Sequence, residues 1–235
     1  MTKVTASPRL IERPVIKILF GGLLGGLFVT VFFWTAGKFD WLRGWIYIVL
    51  LACGQGTSTF YVWWKDPELL RRRSEIGEGT KTWDKVLVRL IVVLYFVMLI
   101  TAALDERLGW SAMSWWLWLV GTAMYIIFMI VLTWAMCVNP HFEKFVRIQD
   151  DRGHRVIDAG PYRIIRHPGY LAIILGFVLP VPFILGSWCA FVLAFLAVLC
   201  LVIRTAWEDR TLRKELSGYE DYTRRVRYRL LFGIW

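Results

Sequence analysis

Charge is scarce over long parts of this 235-residue chain, although Lys and Arg total 28. Hydrophobic residues make up 57% of the sequence. Crossing the hydrocarbon core of a bilayer takes about 20 mostly apolar residues, and a water-soluble protein of this size would interleave its charges more evenly. The sequence therefore predicts an integral membrane protein. The stretches that carry one charge at most are 15–36, 44–64, 86–104, 109–140 and 169–203.

Cysteine and histidine are also few, with four and three residues respectively. All of the cysteines lie in apolar stretches and form no CxxC pair, so nothing supports a disulfide framework or a zinc site. Histidines occur at 141, 154 and 167, which leaves no i,i+4 pair for a metal site on a helix. We expect no metal.

Acidic residues number only 18, and the resulting net charge of +10 is common in proteins that bind nucleic acid. Its placement favours another explanation. All Lys and Arg except Lys38, Arg43 and Arg107 fall in the two termini or in alternate loops. Such a bias marks the cytoplasmic side, so we expect both termini in the cytoplasm. The basic excess then attracts anionic membrane lipids, and we expect no nucleic-acid partner.

The last apolar stretch, 169–203, is too long for one crossing, because a helix of that length would extend about 52 Å. Pro180, Pro182 and Gly186 are expected to divide it into arms at 169–179 and 187–203. A hairpin of this kind returns residues 163–170 and 204–209 to the same membrane face. We predict an all-α polytopic bundle of about five to six transmembrane helices, with about four spans in residues 1–138. The hairpin and a cytoplasmic tail lie in residues 139–235.

Two polar clusters flank this hairpin. The first reads G-P-Y-R-I-I-R-H-P-G-Y over residues 160–170, and the second reads R-T-A-W-E-D over residues 204–209. With Tyr219 and Tyr222 they resemble the isoprenylcysteine carboxyl methyltransferase family, its bacterial relatives and, more loosely, the phospholipid N-methyltransferases. The first cluster matches the family pattern fully. The second has Asp209 where the family has a second glutamate, and the tail is compressed because Gly218 directly precedes Tyr219.

The resemblance implies that residues 139–235 bind S-adenosylmethionine at the cytoplasmic membrane face and transfer its methyl group to a lipophilic acceptor that enters from the bilayer. A carboxylate acceptor needs no general base, whereas an amine or thiol would need one, and His167 is the nearest candidate. The implied catalytic residues are Arg204, Glu208 and His167. The implied cofactor-binding residues are Tyr162, Arg163, Arg166, His167, Pro168, Tyr170, Glu208, Asp209, Tyr219 and Tyr222.

Two other functions remain open from the residues alone. Membrane sterol and steroid reductases share this architecture but use NADPH. The acidic pair Glu208–Asp209 argues against that cofactor, while the arginine-rich tail is compatible with its 2′-phosphate. A non-catalytic protein whose basic face binds anionic lipid is the second alternative, because Arg204 and Glu208 also form an i,i+4 pair of the kind found at exposed helix ends. The sequence identifies neither the methyl acceptor nor the oligomeric state.

Overall fold

A computed structural model describes residues 14–74 and 77–235, and over these residues the chain is helical and contains no strand. The N-terminal basic residues of the charge argument, Lys3, Arg9 and Arg13, lie outside the described residues. The α-helices are α1 (Pro14–Ala36), α2 (Leu42–Lys65), α3 (Pro67–Ser74), α4 (Thr82–Leu108), α5 (Leu117–Val138), α6 (Pro168–Ile173), α7 (Pro180–Leu185), α8 (Trp188–Glu215) and α9 (Tyr219–Arg225).

Five helical segments are long and apolar enough to cross a membrane, namely α2, α4, α5, the segment Pro168–Leu185 and α8. Helix α1 has 23 residues and is apolar over Gly21–Ala36. The prediction of an all-α polytopic membrane bundle with five to six spans is therefore confirmed. The proposed division of the chain at residue 138 stays a prediction.

The first arm of the C-terminal hairpin is longer than the sequence suggested. It runs from Pro168 to Leu185, and the chain turns at Gly186, whose φ of +82° suits glycine. Pro180 and Pro182 do not break this arm. A π-helical turn over Ile174–Val178 precedes Pro180, which starts α7 at a position where a missing N–H costs little. The expected arm, 169–179, is thus too short because α7 also belongs to the first arm.

This first arm lies at the centre of the bundle. Its most apolar window is 61% buried, whereas the other four candidate spans range from 17% to 33%. Helix α5 packs along it, and Gly121 and Gly176 allow the close approach. A Cβ at Gly121 would lie 2.9 Å from the carbonyl oxygen of Pro180, and one at Gly176 would lie 2.8 Å from the Cβ of Phe128. The first arm is therefore densely packed against α5.

A buried carboxylate holds the turn between α7 and α8, at the end of the hairpin arm far from Pro168. Asp105, near the end of α4, is 2% exposed. It accepts hydrogen bonds from the Ser111 amide and from the hydroxyls of Ser111 and Ser187. Ser187 also caps α8 by accepting from the Ala190 amide at 3.0 Å. These bonds fix where α8 begins and hence where its far end emerges.

Substitution of Gly121 by alanine tests the packing of α5 on the central arm. We expect Gly121→Ala to lower the thermal unfolding midpoint in detergent, because the new methyl meets backbone and Cβ atoms that cannot rotate away, at a cost of about 1–3 kcal/mol. Gly56→Ala is the matched control, since no atom lies within 4 Å of a Cβ built there. A Gly121→Ala midpoint equal to that of Gly56→Ala would contradict the close approach.

Candidate functional site

A cavity opens where α6 begins and α8 ends, an end of the bundle that we call the motif end. It contains about 1130 Å³ of empty space, part of it open to solvent, and is walled by the 139–157 loop, the start of the hairpin, the end of α8 and α9. Both polar clusters reach it, as the hairpin geometry predicted. The predicted site residues that line it are Tyr162, Arg166, His167, Tyr170, Arg204, Glu208, Tyr219 and Tyr222.

Three predicted cofactor-binding residues do not line the cavity. The exposed Arg163 donates from Nε to the Asp158 carbonyl oxygen at 3.3 Å. Pro168 starts α6, where its rigid ring sets the backbone of the first turn. Asp209 is 0% exposed and lies behind the cavity wall. For these residues the structure shows contacts within the protein, and their cofactor-binding role stays a prediction.

Asp209 is the centre of a buried ion cluster. Arg166 donates to it from Nε at 2.8 Å, Arg229 donates from Nε at 2.9 Å, and the Tyr219 hydroxyl donates at 3.1 Å. The Nε of Arg213 lies 3.3 Å away. Because all these donors belong to the protein, the Asp209 carboxylate has no capacity left for a cofactor ammonium or ribose. That Asp209 binds the cofactor directly stays a prediction.

The C-terminal tail closes the same wall through its backbone. The amides of Arg166 and His167 donate to the carbonyl oxygens of Tyr228 and Arg229, each at 2.9 Å. The Nη1 of Arg166 also donates to the Val226 carbonyl oxygen at 2.8 Å. The R-H dipeptide of the first cluster is thus clamped by the tail immediately before α6 starts.

Glu208 differs from its neighbour Asp209 because its side chain stays 22% exposed and lines the cavity. The Tyr170 hydroxyl donates to Glu208 Oε2, and His167 Nδ1 lies 3.8 Å from Oε1. On its other side, His167 Nε2 lies 3.4 Å from Asp209 Oδ1. Glu208 is consequently the carboxylate that the site presents to a ligand, and His167 lies between the two acids.

Arg204 lines the cavity, but Asp84 of α4 holds it. Its Nε and Nη2 donate to the two Asp84 carboxylate oxygens at 2.6 and 3.1 Å, and Nη2 also donates to the Lys144 carbonyl oxygen at 2.7 Å. Its guanidinium carbon is 5.0 Å from the Tyr170 ring centre. Pairing of Arg204 with a ligand carboxylate would have to compete with Asp84. Asp84, the acidic residue in the first turn of α4, was not among the predicted site residues.

The tyrosine hydroxyls are largely engaged by the protein. Tyr222 donates to the Tyr162 carbonyl oxygen at 2.6 Å, and the Tyr162 hydroxyl accepts from Asn139 Nδ2 at 3.2 Å. Burial raises the pKa of Tyr162, Tyr219 and Tyr222 above the usual range, so all three are neutral at physiological pH. They therefore offer a ligand ring surface more than hydrogen bonds or charge.

The 139–157 loop, which lies in the predicted binding region 139–235, supplies a wall of the cavity although none of its residues was a predicted site residue. Gln149, 2% exposed, donates from Nε2 to the His141 carbonyl oxygen at 2.9 Å. The rings of His141 and His154 are 4.6 Å apart, and both residues line the cavity. Only the position of this loop directly before the first cluster could have indicated its role.

Part of the chain matches a known protein family. Residues 119–214 match the family model described as the isoprenylcysteine carboxyl methyltransferase (ICMT) family. The resemblance to that family is confirmed. The match spans α5, the hairpin and the 204–209 cluster, and it supports a membrane methyltransferase. No curated protein matches the chain.

One similar solved structure is that of the eukaryotic intramembrane Ras methyltransferase ICMT. The two chains are 14% identical, the alignment covers 92% of this chain and 85% of that one, and the TM-score is 0.49. A likeness this remote carries no argument about residues or activity.

Loss of the Asp209 carboxylate tests the ion cluster. We expect Asp209→Ala to destabilise the protein by about 3–5 kcal/mol, because buried Arg166 would lose its counter-charge, and to expose the tail to proteolysis. Thermal unfolding and limited proteolysis in detergent measure the two effects. Asp221→Ala on the exposed face of α9 is the control. Unchanged stability and tail protection in Asp209→Ala would contradict the cluster.

The environment of His154 predicts a pH effect. Burial, followed by the nearby His141 and Arg147, lowers the pKa of His154 from 6.5 to about 4, and Glu143 and Asp150 oppose the shift only partly. The unfolded chain therefore binds a proton at higher pH than the folded one. Stability from this group is complete above pH 6.5 and is lost as pH falls towards 4. We expect thermal midpoints between pH 7 and pH 5 to fall more steeply in the wild type than in His154→Gln; parallel curves would contradict this.

Proposed function

We propose that this protein transfers a methyl group from S-adenosylmethionine to a carboxylate on a lipophilic acceptor, in the cavity at the motif end. One observation carries the proposal. Tyr170 and Glu208, from the two clusters of the family-matching stretch, meet through a hydrogen bond on the wall of a cavity at the end of the membrane spans.

The chemistry of the cavity fits the cofactor. S-adenosylmethionine supplies an electrophilic methyl group on a sulfonium and also carries an ammonium, ribose hydroxyls and an adenine ring. Glu208 supplies the accessible carboxylate for a cationic or hydroxyl group, and Tyr162, Tyr219 and Tyr222 supply buried ring surface for a planar one. Arg204 and Arg166 act as positioning residues, because their carboxylate partners already hold them.

A carboxylate acceptor is already a nucleophilic anion, so the residues of this site have to align and dehydrate it without removing a proton. His167 is 5% exposed and lies between Glu208 and Asp209. In this chemistry it keeps Glu208 in place, and it becomes a candidate general base only for an amine or thiol acceptor.

We further propose that the motif end faces the cytoplasm and that the acceptor enters sideways from the bilayer. The alternating basic loops support this orientation, since Lys38, Arg43 and Arg107 lie in the loops or at the helix ends of the opposite side. An acceptor with a long apolar chain would then remain in the hydrocarbon core while its polar end reaches the cavity.

The arginines that made NADPH an alternative, Arg224, Arg225, Arg227 and Arg229, all lie outside the cavity. Arg229 pairs with Asp209, and Arg225 pairs with Asp158 at 2.9 Å. Arg224 lies 3.9 Å from Asp221 and is exposed. None of them lines the cavity, so the described tail offers no arginine to a 2′-phosphate there.

Titration calorimetry of the detergent-purified protein with S-adenosylhomocysteine tests the proposal. We expect saturable binding that Glu208→Gln weakens by about 10- to 100-fold, because a charge-assisted hydrogen bond is lost. Glu215→Gln is the matched control, since Glu215 lies on the same helix, pairs with Lys81 and is outside the cavity. Binding of NADPH without binding of S-adenosylhomocysteine would contradict the proposed chemistry.

A further inference from the structure

Helix α3 brings a residue from the first half of the chain to the cavity. Leu69 of this short helix is 1% exposed and packs with Val62 of α2 and Met136 of α5. Asp66 caps the helix by accepting from the Leu69 amide at 3.0 Å. These contacts fix α3 against two spans, and Arg73 from its last turn lines the cavity. This arginine lies outside the 119–214 stretch that matches the family.

Arg73 is held beside the start of the hairpin by Phe142. Its Nη1 donates to the Phe142 carbonyl oxygen at 3.1 Å, and its guanidinium carbon lies 4.9 Å from the centre of the Phe142 ring. The same ring packs on Gly169, where a Cβ would come within 2.5 Å of it. One aromatic side chain therefore separates Arg73 from the R-H-P-x-Y cluster.

The arginines that line the cavity differ in whether they have a carboxylate partner. Arg204 is paired with Asp84, Arg166 with Asp209, and Arg147 with Glu143. Across the described residues, Arg73 has no carboxylate within ion-pair distance. Burial lowers its pKa, and the nearby Tyr162 opposes that shift only partly.

Two further cations line the cavity without a carboxylate partner in the described chain, but they suit an anion less well. Arg155 is exposed, and the Lys144 ammonium lies 5.5 Å from the Phe145 ring centre. A partly buried guanidinium with free donors favours an anion with two parallel acceptor oxygens, because its planar fork matches a carboxylate. Arg73 is the cavity cation that best meets these requirements.

We propose that Arg73 binds the carboxylate of a ligand in this cavity, an inference that rests on the proposed methyltransferase function. That chemistry has two sources, the methionine carboxylate of the cofactor and the carboxylate of the acceptor. A carboxylate placed there would lie near the Phe142 ring and would neutralise a partly buried guanidinium that lacks a counter-charge within the described residues.

Paired ligands with and without the carboxylate test this role in Arg73→Gln. For the cofactor, the pair is S-adenosylhomocysteine and 5′-methylthioadenosine. For the acceptor, it is N-acetyl-S-farnesylcysteine and its carboxamide. We expect Arg73→Gln to weaken the acidic member of one pair by about 10- to 100-fold and to leave its neutral partner within about twofold. The pair that responds identifies the source of the carboxylate.

Arg73→Lys keeps the charge without the fork and is expected to recover part of the lost affinity. Arg71→Gln is the control on the same helix, because Arg71 pairs with Glu68 and is outside the cavity. Thermal unfolding of all three variants checks that α3 remains folded.

The inference is overturned if Arg73→Gln leaves both acidic ligands at wild-type affinity, or weakens acidic and neutral members equally. If the wild type binds neither farnesyl compound, the nucleoside pair alone decides. Failure of the proposed function looks different, because the wild-type protein itself would then bind no S-adenosylhomocysteine.

Discussion

At the motif end of the bundle, one buried carboxylate pairs with guanidinium groups from three separate parts of the chain. Arg166 precedes the hairpin, Arg213 lies on the same helix as Asp209, and Arg229 belongs to the tail. Removing such charges from water costs several kcal/mol for each ion, and a favourable net energy requires that their hydrogen bonds be satisfied. Asp209 meets that condition only when hairpin, α8 and tail are all in their observed positions, so the cavity wall forms as a unit.

Adjacent acids on α8 have opposite tasks because successive residues point about 100° apart around a helix. Asp209 points to the tail, is buried and accepts hydrogen bonds from protein donors. Glu208 points to the cavity and stays partly exposed. One turn earlier, Arg204 is fixed by Asp84 across the α4–α8 contact. Most charged side chains of the site thus pair with one another, and these pairs fix the cavity walls before a ligand binds. Glu208 keeps part of its surface open to the cavity, and Arg73 has no carboxylate partner among the described residues.

Sequence reasoning reached the membrane class, the spans and the meeting of the two clusters, because apolar length, helix breakers and loop charges act locally. It ended the first arm of the hairpin at residue 179, because the π-helical turn that accommodates Pro180 could not be foreseen from the sequence. The exposure of Glu208 and the burial of Asp209 depend on where the tail packs, which no local pattern encodes. Asp84 lies 120 residues from Arg204, and Arg73 reaches the cavity through the packing of Leu69. Both positions depend on tertiary packing, which local sequence patterns do not reveal.

A structure of the wild-type protein bound to S-adenosylhomocysteine tests the central claim most directly. The account predicts that the ligand lies in the cavity at the motif end, with Glu208 within hydrogen-bond distance of it. The Arg204–Asp84 and Arg166–Asp209 pairs should remain as they are here. A ligand bound elsewhere, or one that binds by separating Arg166 from Asp209, would contradict the claim that this ion cluster builds the site in advance.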